Sequence, residues 1–261
     1  MSGARYRAVI TGAGGGIGAA IARAMAPAAD AMVLVGRRRE PLDALAAGLA
    51  VPVQIVCGDL GEESTLAAVD AAGRAAGGIN LLVNNAGISD FHAFETQSPA
   101  RIRAMLETNL LAPMLLTRQL LPLLKEAPAA QIVNVGSVFG QLGYPGFAAY
   151  GASKAGMLTF SQALRRELLD TTITVRHFAP RATRTAINSG AVDAMNRELG
   201  TAEDTPEAVA AAFMAFLGGS AFQRTLGRKE SFFVLVNKLL PGLPDGGIRK
   251  QLAVIRKHLP G

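Results

Sequence analysis

Tyr150 and Lys154 stand four residues apart in Tyr150-Gly-Ala-Ser-Lys154, the separation that puts two side chains on one face of a helix. A phenol is a poor acid or base near neutrality, with a reference pKa of about 10. A neighbouring ammonium favours the phenolate, so the pair is suited to passing a proton to or from an oxygen. A second cluster lies near the start, where Thr11-Gly12-Ala13-Gly14-Gly15-Gly16-Ile17-Gly18 follows an apolar run and opens a helical one. Glycines there let backbone N–H groups approach a diphosphate, and the helix N-terminus adds partial positive charge. His92 and His177 have no partners arranged for a metal or a nucleophilic triad, and no metal site is expected. They read as a loop residue and a strand residue.

Such residues need rigid supports. Apolar runs of strand length at 6–11, 31–36, 53–57, 81–84, 131–136 and 173–178 alternate with helical stretches at 17–25, 42–49, 66–76, 102–124 and 151–169. Strands apolar on both faces and separated by helices predict a mainly parallel sheet covered on both sides, a doubly wound α/β domain. One composition shift, near residue 220, divides a body of 1–220 from a basic extension of the same domain at 221–261.

The 261 residues are 50% hydrophobic and 18% charged, which excludes a disordered chain and suffices for one sizeable core. Glu107 and Arg118 interrupt the longest apolar stretch, so no segment reaches the length of a membrane span. The glycines after Arg5 and Arg7 are poor for a signal peptide. Cys57 is the single cysteine and forms no internal disulfide, so a cytoplasmic location is expected; it reads as a small buried hydrophobe. The net charge of +6 belongs wholly to residues 221–261, which leaves the body neutral and argues against nucleic-acid binding.

In chain order, Thr11-Gly-x-x-x-Gly-Ile-Gly18, Asn84-Asn85-Ala86-Gly87 after the fourth strand, Asn109 in the next helix, Ser137 after the fifth strand, and Tyr150 with Lys154 resemble the short-chain dehydrogenase/reductase family. The match extends to Thr185, about two thirds of the chain. The resemblance implies a Rossmann fold and hydride transfer between a nicotinamide and a carbonyl or alcohol. It implies Tyr150 as acid/base, Ser137 as the carbonyl-orienting hydroxyl, Lys154 as the ribose-binding cation and Asn109 as anchor of a proton-relay water. Cofactor contacts are implied at Thr11, Gly12, Gly14, Gly15, Gly16, Ile17, Gly18, Asp59, Leu60, Asn85, Ala86, Gly87, Pro180, Thr183 and Thr185. Asn84 is implied as a strand-stabilising residue. An NAD site usually has an acid at the end of the second strand; here Gly36 is followed by Arg37, Arg38 and Arg39. A guanidinium fork suits a 2′-phosphate, so NADP(H) is expected, with Arg37 the first contact and Arg38 the second.

Two features depart from the family pattern. Pro180-Arg181 replaces its usual Pro-Gly, so Arg181 either takes ordinary backbone angles or strains the loop. Arg181 and Arg184 could alternatively meet an anionic substrate group. Phe91, Phe94, Leu142, Tyr144 and Phe147, with Ile187, Val192, Met195 and Leu199 from the lid position, predict a mostly apolar pocket. The expected substrate is a small apolar or acyl carbonyl compound or alcohol; a 3-oxoacyl-thioester reductase and a non-catalytic NADP(H)-binding sensor or scaffold are the alternatives. The chain also lacks the family's glycine-rich ending on a seventh strand. An apolar run at 232–240 precedes a stretch in which Ile248, Leu252, Ile255 and Leu259 share a helical face. Three readings stay open for this basic tail: packing on its own domain or in a dimer or tetramer, peripheral contact with an anionic membrane, and docking of an acidic carrier protein.

Overall fold

The computed structural model describes residues 5–260. Seven parallel strands form one sheet in the order β3-β2-β1-β4-β5-β6-β7. They are β1 (Tyr6–Thr11), β2 (Ala29–Gly36), β3 (Val53–Cys57), β4 (Leu81–Asn84), β5 (Ala130–Val135), β6 (Ile173–Ala179) and β7 (Gln223–Thr225). Helices α1 (Gly16–Met25), α2 (Arg39–Ala47), α3 (Glu63–Ala75), α4 (Pro99–Leu106), α5 (Ala112–Lys125), α6 (Ala148–Glu167), α7 (Gly190–Leu199) and α8 (Pro206–Leu217) follow the strands, and α9 (Arg228–Leu239) and α10 (Leu243–His258) end the chain. This is a single-domain Rossmann fold, in which ligand sites form beyond the carboxyl ends of the strands where the order reverses. Here that point lies between β1 and β4.

The alternation of strand side chains separates two cores. Ala8, Ile10, Met32, Leu34 and Val83 face Ile21 and Met25 of α1 and Phe213 of α8. Val9, Val33, Val35, Leu82 and Ile132 face Val69 of α3, Leu116 and Leu120 of α5 and Leu164 of α6. Both faces are apolar because both are covered, as a parallel sheet requires.

The C-terminal segment differs from the sequence expectation. A seventh strand is present, three residues paired with β6, too short and too polar to show as an apolar run. The run at 232–240 is helical through Leu239, the last residue of α9. Cys57 is exposed rather than buried, because β3 is the sheet's edge. In α10, Ile255 is fully buried against Phe91, Phe147, Val192 and Met195, while Arg249, Lys250, Arg256 and Lys257 point outward. The apolar face of this helix is therefore spent inside its own domain.

Candidate active site

A cleft of about 1150 Å³ opens at the carboxyl ends of the strands and runs from the glycine turn to the two C-terminal helices. Gly12, Gly14, Gly15, Gly16 and Ile17 line one end. Gly12 holds φ at 66°, and a Cβ there would meet the Ala86 Cα at 2.9 Å; only glycine suits both constraints. Above the turn the space is open, with no atom within 4 Å of a Cβ built on Gly15. Helix α1 starts with neither a side-chain cap nor an acid in its first turn, so its leading N–H groups remain available to an anion. This arrangement fits the diphosphate of a dinucleotide.

Thr11 and Gly18 lie behind the turn, outside the cleft lining. Thr11 Oγ1 accepts hydrogen bonds from the N–H groups of Asn85 at 2.9 Å and Ala86 at 3.0 Å. Asn85 Nδ2 donates back to the Thr11 carbonyl at 2.9 Å. These bonds tie the end of β1 to the end of β4 and set the spacing of the cleft walls formed by Asn85, Ala86 and Gly87. A Cβ on Gly18 would collide with the Gly12 carbonyl and the Asn85 amide, so this glycine permits close helix–strand packing. Asn84 Nδ2 donates to Thr117 Oγ1 and Asn134 Oδ1 at 3.0 and 2.8 Å, binding β4 to α5 and β5.

Arg37 and Arg38 are exposed at the rim of the cleft, with no ion-pair partner among the described residues. Arg39 is occupied by Asp43 at 2.9 Å. Asp59 and Leu60 lie outside the lining, and Asp59 accepts from the Gly61 N–H at 2.9 Å.

Ser137, Tyr150 and Lys154 meet in the middle of the cleft. Lys154 is buried, and its Nζ donates to the Val135 carbonyl at 3.0 Å. Burial lowers its amine to about 8. Tyr150 sits edge-on to Phe147, ring centroids 6.2 Å apart. Burial pushes its phenol above the ordinary value, against an opposing pull from the Ser137 hydroxyl. This differs from the expected ammonium-lowered phenol. Desolvation outweighs the Ser137 hydrogen bond, and the protein by itself holds Tyr150 in the protonated, donating form. Ser137 Oγ also caps a short turn, accepting from the Phe139 N–H at 3.2 Å.

Asn109 is buried in the single π-turn between α4 and α5, a distortion common at functional sites. Its Oδ1 accepts from the Ile88 N–H at 2.8 Å, and its Nδ2 donates to the Ile88 carbonyl at 2.9 Å and to Ser153 Oγ at 3.0 Å. It does not line the cleft. Its direct link to the site is Ile88, which lines the cleft, and a Cβ on the neighbouring Gly87 would stand 3.1 Å from Asn109 Oδ1 and 3.4 Å from Lys154 Nζ.

Pro180, Thr183 and Thr185 line the far wall. Arg181 takes an ordinary backbone conformation, since no described non-glycine residue has positive φ. Its guanidinium donates to both carboxylate oxygens of Asp204 at 2.9 and 2.7 Å and lies 3.5 Å from Glu230. That charge is neutralised, and Arg184 lies outside this cleft, so neither supplies the anion contact considered above.

The substrate end is apolar as expected, with Leu142, Tyr144, Phe147, Ile187, Val192 and Met195 in the wall. Phe91 instead backs Phe147, stacked at 5.0 Å. Leu199 packs behind the wall, and Phe94 is exposed to solvent. The sequence reading missed Phe139, Phe233, Pro244, Ile248 and Gln251. The last four form a roof from α9 and α10, fastened by a hydrogen bond from the Tyr144 hydroxyl to Gln251 Oε1 at 2.9 Å. The periodic apolar face containing Ile248 was their one visible signal. Among the described residues no cluster could hold a metal ion.

The family model for short chain dehydrogenases matches residues 6–196. Nodulation protein G of Rhizobium sp. (strain N33) is 36% identical over 78% of this chain and 87% of its own. Sulfoacetaldehyde reductase of Chromohalobacter salexigens is 39% identical over 77% of this chain and 83% of its own. A crystal structure of a short-chain dehydrogenase from Streptomyces avermitilis superposes with a TM-score of 0.80 at 29% identity, covering 94% of this chain and 96% of that one. With this fold, glycine turn and Ser137, Tyr150 and Lys154 in one cleft, the chain belongs to the short-chain dehydrogenase family of oxidoreductases.

Proposed function

We propose that the protein is an NADP(H)-dependent reductase of apolar carbonyl compounds, also able to run the reverse alcohol oxidation. The observation that carries this reading is the position of Ser137, Tyr150 and Lys154 between the uncapped glycine turn and an aromatic and aliphatic pocket. A bound reduced nicotinamide supplies the hydride. The chain supplies the rest. Tyr150, protonated in its buried setting, gives its proton to the carbonyl oxygen, which would otherwise become an unsolvated alkoxide. Ser137 Oγ hydrogen-bonds the same oxygen. Lys154 holds a ribose hydroxyl and places a positive charge beside the phenol as it ionises.

The cofactor preference rests on Arg37 and Arg38, which reach the cleft rim unpaired where an NAD site would carry an acid. Gly12, Gly14, Gly15, Gly16, Ile17, Asn85, Ala86, Gly87, Pro180, Thr183 and Thr185 hold the remainder of the dinucleotide. Thr11, Gly18 and Asn109 act through the residues they position. A small sulfonated aldehyde, the substrate named for one relative, suits this pocket poorly: Arg181 is neutralised by two carboxylates and the wall is apolar. Self-association is supported by Leu106, Leu111 and Met114, exposed along α4, the π-turn and α5.

The test is NADPH oxidation by the purified protein with a panel of aromatic and aliphatic ketones, a 3-oxoacyl thioester and a sulfonated aldehyde. Highest kcat/KM on lipophilic ketones is expected. Preference for the thioester would favour the acyl-carrier alternative, and NADPH binding without turnover would favour a sensor.

A further inference from the structure

Helix α9 exposes apolar side chains that the fold does not use. Phe232, Leu235, Leu239, Leu240 and Leu243 are each more than half exposed. At 100° per residue, Phe232, Leu235 and Leu239 lie on one face of the helix, and Leu240 and Leu243 follow it through the turn to the first residue of α10. Only Val234 of this helix is fully buried. Contiguous apolar surface of this kind on a soluble domain marks an interaction site.

The surroundings of the strip are cationic. Arg228, Lys229 and Lys238 are exposed on α9, and Arg249 and Lys250 on α10, with no ion-pair partner among the described residues. Of the tail's two acids, Glu230 is turned in toward Arg181 and Asp245 is exposed, a single negative charge against these five cations. Residues 221–261 thus hold the chain's whole net charge of +6 on the segment that also presents the apolar strip. A second copy docked on the same strip would bring together two tails that each carry the chain's whole net charge of +6, which like-charge repulsion disfavours. Anionic headgroups above an apolar interior match both features at once. No described helix is long and apolar enough to cross a bilayer, so the contact is peripheral. Next to the strip, Phe233 is half exposed and also lines the substrate cavity.

We propose that α9 and the α9–α10 turn dock the protein onto an anionic lipid surface, setting the substrate cavity's roof at the level of the acyl chains. The link to substrate entry rests on the reductase reading; the docking itself does not.

The experiment is co-sedimentation of the full-length protein with phosphatidylcholine vesicles, with and without phosphatidylglycerol. Sedimentation is expected with the anionic vesicles only, weakening as salt is raised. The triple variant Phe232→Ser, Leu235→Ser, Leu239→Ser should lose partition by about tenfold or more. The triple variant Arg228→Gln, Lys229→Gln, Lys238→Gln should lose about tenfold, with the apolar strip intact. Both should keep the parent's turnover of a water-soluble ketone, which shows that the site has folded. Equal sedimentation with neutral vesicles, or no change in either variant, would overturn the proposal. A parent that ignores vesicles but dissociates to a smaller oligomer in the serine variant would assign the strip to a second copy, and capture by an acidic protein alone would assign it to that partner. Docking by a parent that reduces no ketone would leave the lipid contact standing and remove the reductase reading.

Discussion

Lys154 Nζ donates to the Val135 carbonyl at 3.0 Å from a buried position, so its charge is carried at the expense of solvation. With its amine lowered to about 8, the ammonium persists below that pH and is lost above it. Carbonyl reduction by the free enzyme should therefore decline as pH rises through about 8, because the cation beside Tyr150 disappears. Stability should move the other way. The unfolded lysine has a pKa of about 10.4 and binds more protons than the folded one from about pH 8 to 10, so this group's contribution to stability rises across that window. A pH profile of kcat/KM beside thermal melts in the same buffers checks both signs. Lys154→Arg should move the alkaline limb upward, since a guanidinium does not titrate there.

Much of this was legible in the sequence, for reasons particular to each element. The strands covered on both faces, such as Ala8 to Ile10 and Leu81 to Val83, appear as unbroken apolar runs, and the glycine turn announces itself by composition. Strand β7 did not, because three residues at a sheet edge carry no apolar signature. Helix α9 was illegible because its outward face is apolar, which removes the amphipathic period. The roles of Thr11, Gly18 and Asn109 needed coordinates: their residue types suggest contact with a ligand, whereas their hydrogen bonds and close contacts run to the backbone that shapes the site. Residue type alone leaves Arg181 free for a substrate, whereas the fold pairs it with Asp204 and Glu230.

Removing the guanidinium of Arg37 should discriminate between cofactors. Arg37→Ala is expected to raise KM for NADPH by about 10- to 100-fold, the range for loss of a charge-assisted hydrogen bond, while KM for NADH changes little. Steady-state kinetics with both cofactors decides; equal effects would remove the phosphate contact. Arg39→Ala, which breaks only the exposed pair with Asp43, should leave the ratio unchanged.

Asn109→Ala strips hydrogen bonds from both the N–H and the C=O of Ile88 and from Ser153. Orphaned buried groups cost about 1 to 3 kcal/mol each, so a loss of stability of about 2 to 4 kcal/mol is expected, read as a lowered denaturant midpoint. NADPH affinity should fall with it, because Ile88, next to Gly87 in the cleft wall, loses its support.

Ile255→Ala empties a fully buried position between α10, Phe91, Phe147 and Met195. The expected cost is about 2 to 5 kcal/mol. Because α10 roofs the substrate end and not the glycine turn, KM for a bulky ketone should rise while KM for NADPH holds, a split that kinetics at a temperature well below the melt will reveal.

The most direct test of the central claim is Tyr150→Phe, assayed for NADPH oxidation with a lipophilic ketone and, in the same preparation, for NADPH binding by fluorescence. Phenylalanine keeps the ring against Phe147 and removes only the proton donor. Turnover should fall by about a thousandfold, within the range assigned to a positioned acid, with binding within about twofold of the parent. Turnover near the parent's value, with binding intact, would contradict the assignment of Tyr150 as the acid.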